Sequence, residues 1–391
     1  MSSQITNTPS ADVLTGFYSY TDTLKGVYYG PGCVNDALPK LLATIGSTKA
    51  LIVTGKSLRE KTDVISRIET ILKEHNAYGA TLSEIGEHAP VSGIHNGVKL
   101  FNEIQADVFV AVGGGSPVDA AKAMSYFIQQ QRGGSFVKQI AIPTTLSAAE
   151  YTAGVGYTNE EGQKTVLMSP FLPPAGVILD AELTITTPER LWLSSGIRAL
   201  DHAVEGLYRP LLALPAKVLG YAALADLFKY LPESKANPKD LAARQKLQVA
   251  AWMSLWPIKT ERPSPLGLSH ALGHKLGATY GIPHGITSCL TLASVIQYKA
   301  ETAPEEDKRS LAEALFYLQE PSTGTLDGDV KKLAFRIDGL VKRLGLSTSL
   351  EENKVPKADL AKIAKLALGE DQSTHPQVVE LLENIYSKRG L

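Results

Sequence analysis

The sequence predicts two domains, an α/β N-terminal domain built on a parallel sheet and an all-helical C-terminal domain. Short apolar runs alternate with helix-period stretches through the first half. The strand-like runs stop after GVILDAEL at 176–183, and long amphipathic patterns fill the rest. Short runs rich in β-branched residues, each followed by an amphipathic helix, are the mark of βαβ units and hence of parallel pairing.

The elements follow in order. KALIVTG at 49–55 reads as a strand, LREKTDVISRIETILKEH at 58–75 as a helix, ADVFVAV at 106–112 as a strand and PVDAAKAMSYFIQQQ at 117–131 as a helix. KQIAIP at 138–143 is a further strand. A helix start of the Thr-Pro-Glu kind sets the boundary near Thr184 to Pro188, dividing the chain into 1–185 and 186–391. TPERLWLSSGIRALDHAVEGLY then opens the helical series. In EEDKRSLAEALFYL, GDVKKLAFRIDGLVKRLGL and ADLAKIAKLALGE apolar residues recur at three-and-four spacing, and the charged opposite faces are solvated helix surface.

Lys and Arg number 39 against 40 Asp and Glu, so the net charge is -1 and there is no basic field to hold nucleic acid. Cys33 and Cys289 are the two cysteines and lack the spacing of a zinc site or a disulfide framework, which fits a reducing compartment. The start, MSSQITNTPSADVLTG, has no apolar secretory core, and no run approaches the roughly 18 apolar residues of a membrane span. A cytoplasmic protein acting on a small molecule is expected, with no nucleic-acid or membrane partner.

Gly113, Gly114 and Gly115 stand directly after one strand pattern and before a helix pattern. Lacking Cβ atoms, they let backbone N–H groups approach a phosphate, and the helix N-terminus adds its positive end. Ser116 is expected as N-cap, Pro117 at N1 and Asp119 at N3, a pair resembling a capping box. GGGS is not the GxGxxG fingerprint, and a tight strand-to-helix turn is the other reading. At the end of the early strand, where a dinucleotide fold uses a carboxylate on the ribose 2′-hydroxyl, stand Gly55, Lys56 and Ser57. With no acid there, a 2′-phosphate is tolerated; a simple chain turn at Gly55 is the alternative. Thr144, Thr145 and Ser147 follow KQIAIP and offer hydroxyls to a cofactor's phosphates or carboxamide.

The segment GLSHALGHKLGATYGIPHG at 267–285 holds three of the eight histidines. His270 and His274 share one helix face, and Gly281 and Pro283 break the helix so that His284 can fold back. Converging imidazoles suit a metal or a catalytic cluster. His202 lies on another helix pattern. Four residues before it, where a metal site wants a carboxylate, stands Arg198, which has no lone pair to donate and stays charged. Asp201 adjoins His202, but consecutive helix residues point about 100° apart, so it is a poor substitute ligand.

Taken together these segments resemble the iron-containing (group III) alcohol dehydrogenase family from about Val27 onward, and within it the maleylacetate reductases. The resemblance rests on GGGSPVDAAKA, IPTTLSAAEYT, GQKT with Lys164, and DAELTITTPERLWLSSGIRALDHAVEGLY. It implies a dinucleotide-binding N-terminal domain, a helical C-terminal domain with the active site in the cleft, the dehydroquinate synthase-like architecture, and a homodimer. Family metal ligands, an Asp and three His, carry over onto His202, His270 and His284, with His274 matching a histidine near the nicotinamide and Lys164 a cofactor contact. The Asp position is Arg198, which puts a divalent metal in doubt, and the position of Gly55 is often an Asp that disfavours NADP.

The expected activity is therefore an NAD(P)H-dependent reduction of a carbonyl or enone, on a carboxylate-bearing substrate, without a catalytic metal. Arg198, His202, His270, His274 and His284 are the catalytic candidates, and NADP or NAD the cofactor. A metal-dependent alcohol or aldehyde dehydrogenase and a cofactor-binding protein doing non-redox chemistry are the alternatives, since fold does not fix chemistry.

Overall fold

The computed structural model describes residues 19–20, 22–86, 89–161, 164–255, 258–259, 264–369 and 375–387. Six parallel strands form the main sheet, in the order Gly26–Tyr29, Gly176–Leu179, Lys138–Pro143, Val108–Gly113, Ala50–Val53 and Tyr78–Leu82. The central strands are buried throughout, which is why they read as continuous apolar runs rather than alternating ones.

Alternation along those strands splits the core into two layers. Ala50, Ile52, Val108, Val110, Ile140 and Ile142 pack beneath helices Val34–Ile45 and Val64–Glu74. Leu51, Val53, Phe109, Ala111 and Ala141 face the other way, onto helices Val91–Glu103 and Gly115–Arg132. Each fully buried Val, Ile or Phe contributes roughly 1.5–3 kcal/mol, so both faces hold the sheet.

The chain runs outward from Ala50–Val53 to Tyr78–Leu82, then returns to place Val108–Gly113 on the other side of Ala50–Val53. The direction of winding changes between these two strands. In such sheets a ligand binds in the crevice outside the carboxyl ends at that switch point, where Gly55 and Gly113–Gly115 stand.

The antiparallel hairpin Gly154–Thr158 with Lys164–Met168 follows the Lys138–Pro143 strand. After Gly176–Leu179, helices Glu189–Leu207, Leu214–Ala236, Leu241–Ser254, Leu268–Tyr280, His284–Thr302, Glu305–Tyr317, Leu326–Arg343, Leu360–Leu368 and His375–Tyr386 share one apolar core. The short strand Ile258–Lys259, pairing antiparallel with Ser19–Tyr20, is an addition to the helical pattern that no apolar run announced. Among the described residues, no helix is long and apolar enough to cross a membrane.

The helical part sits on the carboxyl edge of the sheet. Leu146 joins the helical core while its backbone N–H donates to Ser195 Oγ at 3.0 Å, and Thr187 Oγ1 donates to the Thr144 carbonyl at 2.8 Å. The loop after Pro143 therefore belongs to both halves of the cleft.

Candidate active site

Helix Glu189–Leu207 supplies the centre. Arg198, Asp201, His202 and Glu205 recur at three-and-four spacing, so one face carries all four, and all four are buried. Burying so many ionisable groups is tolerable because the charged ones, Arg198, Asp201 and Glu205, meet partners.

Arg198 is 7% exposed. Its Nη1 donates to Ser288 Oγ at 3.2 Å and lies 3.6 Å from Asp201 Oδ2, while Nη2 lies 3.4 Å from His274 Nε2. Asp201 Oδ2 also accepts from the hydroxyls of Ser269 at 3.0 Å and Ser288 at 2.5 Å. Both Glu205 oxygens are engaged. Oε1 accepts from the Tyr208 hydroxyl at 2.9 Å and the Ser269 N–H at 2.8 Å, and Oε2 accepts from the His270 backbone N–H at 3.3 Å and its ring Nδ1 at 2.7 Å.

The imidazoles converge around this frame. His202 and His270 stack with centroids 4.7 Å apart, His274 lies 6.3 Å from His270, and His284, opening helix His284–Thr302, lies 5.8 Å from His274. Nδ1 of His202 and Nε2 of His270 are buried without a hydrogen-bond partner. Three glycines let the carrying helices approach. A Cβ on Gly267 would lie 2.5 Å from Glu205 Oε1, one on Gly273 2.9 Å from Thr287 Oγ1, and one on Gly285 2.6 Å from the Ser194 backbone.

Burial, followed by the charges of His270 and Arg198, holds His202 well below the ordinary imidazole range. His270 moves the other way: burial and Arg198 oppose its proton, but Asp201 and Glu205 outweigh them and raise it. Burial pushes Asp201 up, yet His270, Arg198 and Ser288 together pull it below its usual value.

On the sheet side, Gly113 takes φ +137°, a conformation that side chains rarely adopt. A Cβ on Gly114 would come 3.3 Å from the Thr145 side chain, and one on Gly115 3.4 Å from Ser147 Oγ, so side chains there would fill the cradle. Gly113 pairs with Pro143, which brings Thr144, Thr145 and Ser147 beside the glycine turn, and Thr145 Oγ1 donates to Ser147 Oγ at 3.3 Å.

The expected cap is corrected. Helix Gly115–Arg132 starts earlier, with Gly114 as N-cap and no side-chain capping bond, so Ser116 and Asp119 lie within its first turns rather than at N-cap and N3. Omitting a side-chain cap leaves first-turn N–H groups for a ligand. Gly55 is the N-cap of the short helix Lys56–Lys61 at φ -98°, a backbone any residue adopts. Lys56 is exposed and pairs with Glu60 at 3.8 Å; Ser57 is exposed beside it. Lys164, expected as a cofactor contact, opens the strand Lys164–Met168, and its side chain lies outside the described residues.

Several contributors escaped the sequence. Asp201 is poorly aligned with His202 itself but shares a face with Arg198, and with Glu205 it holds His270. The 198/201/202/205 spacing was the available signal. Lys122 is fully buried, and its Nζ donates to the carbonyls of Ala149 at 2.6 Å, Thr152 at 2.9 Å and Gly154 at 3.1 Å, tying the segment after Ser147 to the helix behind the glycine turn.

The architecture is an α/β domain with a glycine turn at its switch point, joined to a helical region that holds a buried cationic and imidazole centre. Residues 25–181 match the family model for iron-containing alcohol dehydrogenase, and residues 192–386 that for the C-terminal part of the Fe-containing alcohol dehydrogenase family. The chain is 30% identical over 368 residues to the dehydrogenase ALT3 of Alternaria alternata, covering 83% of this chain and 93% of that one. It is 31% identical over 285 residues to a maleylacetate reductase of Sphingobium indicum, covering 72% and 73%. The crystal structure of maleylacetate reductase from Agrobacterium tumefaciens superposes with a TM-score of 0.78 at 25% identity, covering 95% of this chain and 99% of that one. The protein belongs to the iron-containing alcohol dehydrogenase family and is similar within it to maleylacetate reductases. It is an oxidoreductase.

Proposed function

We propose that this protein is an NAD(P)H-dependent reductase of a carbonyl or enone bearing a carboxylate, working without a catalytic metal as a cytoplasmic homodimer. The observation that carries the reading is the buried guanidinium of Arg198, held by Ser288 and Asp201 among the imidazoles.

The donor set does not fit a divalent cation. Arg198 offers no lone pair and a permanent positive charge where the family resemblance implies a carboxylate ligand. Ligand atoms of Asp201, Glu205 and His270 do lie within 4.8 Å of one another. Glu205 is committed elsewhere, both of its oxygens serving four donors that include Nδ1 of His270, and Asp201 Oδ2 takes the hydroxyls of Ser269 and Ser288. A metal at that spot would have to break the bonds that fix the centre.

The residues present do fit a dinucleotide. Gly113–Gly115 and the uncapped helix start suit the pyrophosphate, and Thr145 and Ser147 line the same cradle. Gly55, with no acid, supports NADPH as well as NADH.

Bound nicotinamide supplies the hydride. As the substrate's carbonyl oxygen becomes negative, Arg198, fixed before the reaction by two partners, stabilises it without reorganising. His274, exposed and accepting from Nη2 through Nε2, carries its proton on Nδ1 and delivers it from there to that oxygen. His202, neutral and stacked on His270, closes the floor.

The test is metal analysis of protein purified without added metal, together with NAD(P)H oxidation by a panel of oxo acids before and after chelation. Full activity in chelator at a metal content far below one per chain is expected. Stoichiometric zinc or iron lost together with activity overturns the proposal.

A further inference from the structure

We infer that Arg209, with the small cavity it shares with His202, is the anchor for the substrate's carboxylate, leaving Arg198 to the carbonyl oxygen. The inference deepens the function proposed above and rests on it for the carbonyl half alone.

The cavity, of about 20 Å³, is bordered by His202, Arg209, Leu212, Met253, Leu255 and Leu266. A water needs roughly 10–15 Å³ on this kind of measure, so the space receives one small polar group and excludes a ring. His202 is the wall that the cavity shares with the reaction centre, since its ring lines the cavity and stacks on His270.

Arg209 is set in place and only partly used. Helix Glu189–Leu207 ends just before it, and its backbone N–H donates to the Gly206 carbonyl at 3.2 Å. Nε donates to the Ser264 carbonyl at 2.9 Å and to its Oγ at 3.2 Å, and Nη2 donates to the same carbonyl. Ser264 Oγ in turn donates to the Pro210 carbonyl at 2.8 Å. One edge of the guanidinium is therefore spent on Ser264, on its carbonyl and its hydroxyl.

A guanidinium has five N–H groups. The end-on fork, one N–H from each Nη, has no acceptor among the described residues. That fork matches the two oxygens of a carboxylate, and Arg is favoured wherever such bidentate recognition matters. Arg59 and Arg67 meet Glu69 at 2.5 Å and Glu182 at 3.1 Å, and the buried Arg244, which has no acid, spends its N–H groups on the carbonyls of Pro238 and Thr184 and the Thr184 hydroxyl. Arg209 meets no acid among the described residues, and burial lowers its proton affinity. A half-buried cation beside leucines and a methionine, with its fork open, is the arrangement that an incoming carboxylate completes.

The division of labour has a chemical reason. If Arg198 held the carboxylate, the same guanidinium would be neutralised before the carbonyl oxygen develops charge. With Arg209 taking the carboxylate, Arg198 keeps its field for the transition state.

The test pairs turnover with binding in Arg209→Met and Arg209→Lys. With an oxo acid and its methyl ester as substrates, the ratio of kcat/KM for acid over ester should fall at least tenfold in Arg209→Met, through KM, and recover in part in Arg209→Lys. Calorimetry with glutarate, a saturated dicarboxylate that cannot be reduced, should show binding to the wild type weakened at least tenfold in Arg209→Met. An unchanged ratio, an equal loss on acid and ester, or glutarate binding indifferent to Arg209 overturns the assignment. Glutarate binding that needs Arg209, in a protein that reduces no carbonyl compound, keeps the anchor and removes the reductase reading.

Discussion

Nη2 of Arg198 lies 3.4 Å from Nε2 of His274, and because a guanidinium can only donate, that ring nitrogen is the acceptor. The pair couples a permanent cation to the group at the mouth of the cleft. Replacing Arg198 by Met keeps the stem and deletes the charge. The expected result is a loss of about 10²–10³-fold in kcat, the usual cost of removing one preorganised oxyanion donor, with the Kd for cofactor unchanged. Steady-state kinetics alongside cofactor titration checks this. Arg198→Asp should instead confer stoichiometric zinc binding, read by metal analysis after dialysis, since it adds the missing carboxylate beside His202, His270 and His284.

Glu205 predicts a stability effect rather than a purely kinetic one. Its carboxylate satisfies four donors while buried, so Glu205→Ala strands the Ser269 and His270 N–H groups, the Tyr208 hydroxyl and the His270 ring. A cost on the order of 3 kcal/mol follows from breaking a buried charged network, read by urea denaturation. Glu205→Gln, which keeps the shape, should recover part of it.

Glu150 predicts a pH dependence. It is fully buried, its Oε2 has no partner, and burial pushes its carboxyl from 4.5 up to about 7. A folded value above the unfolded one means that its contribution is fully present below about 4.5 and is lost as pH rises through about 7. Above that range the ionised carboxylate costs on the order of 3 kcal/mol. Glu150→Gln removes the titration. The variant should match the wild type near pH 4 and exceed its stability at pH 8, in denaturant melts across that range.

Gly55→Asp predicts a change of cofactor. The backbone there suits any residue, and the nearest atom to a new Cβ, the Ile85 carbonyl oxygen, stands 3.4 Å away. The added carboxylate should weaken NADPH by on the order of 100-fold through repulsion of the 2′-phosphate while sparing NADH, as measured by fluorescence titration. Equal effects on both cofactors would place the 2′ position elsewhere.

The fold was legible because its signals are local. The strand ALIVTG and the run VFVAVGGG each carry their own period and punctuation, and three of the four site histidines sit in one segment broken by Gly281 and Pro283. What the sequence concealed depends on contacts between distant segments. Ser269 and Ser288 look like ordinary helix serines until they converge on Asp201. Glu205 reads as a surface acid until its helix is found buried on that face. The misplaced cap has a similar cause. Ser116 has the right chemistry for an N-cap, but the Gly113 turn starts the helix sooner.

Gly267, Gly273 and Gly285 leave no slack between the helices that carry the imidazoles. A library built to retune this enzyme toward bulkier compounds would squander its members there, because even one methyl would collide with a neighbouring helix. Useful diversity lies around the small cavity beside His202, at Leu212, Met253 and Leu266, where trimming a side chain enlarges the chamber.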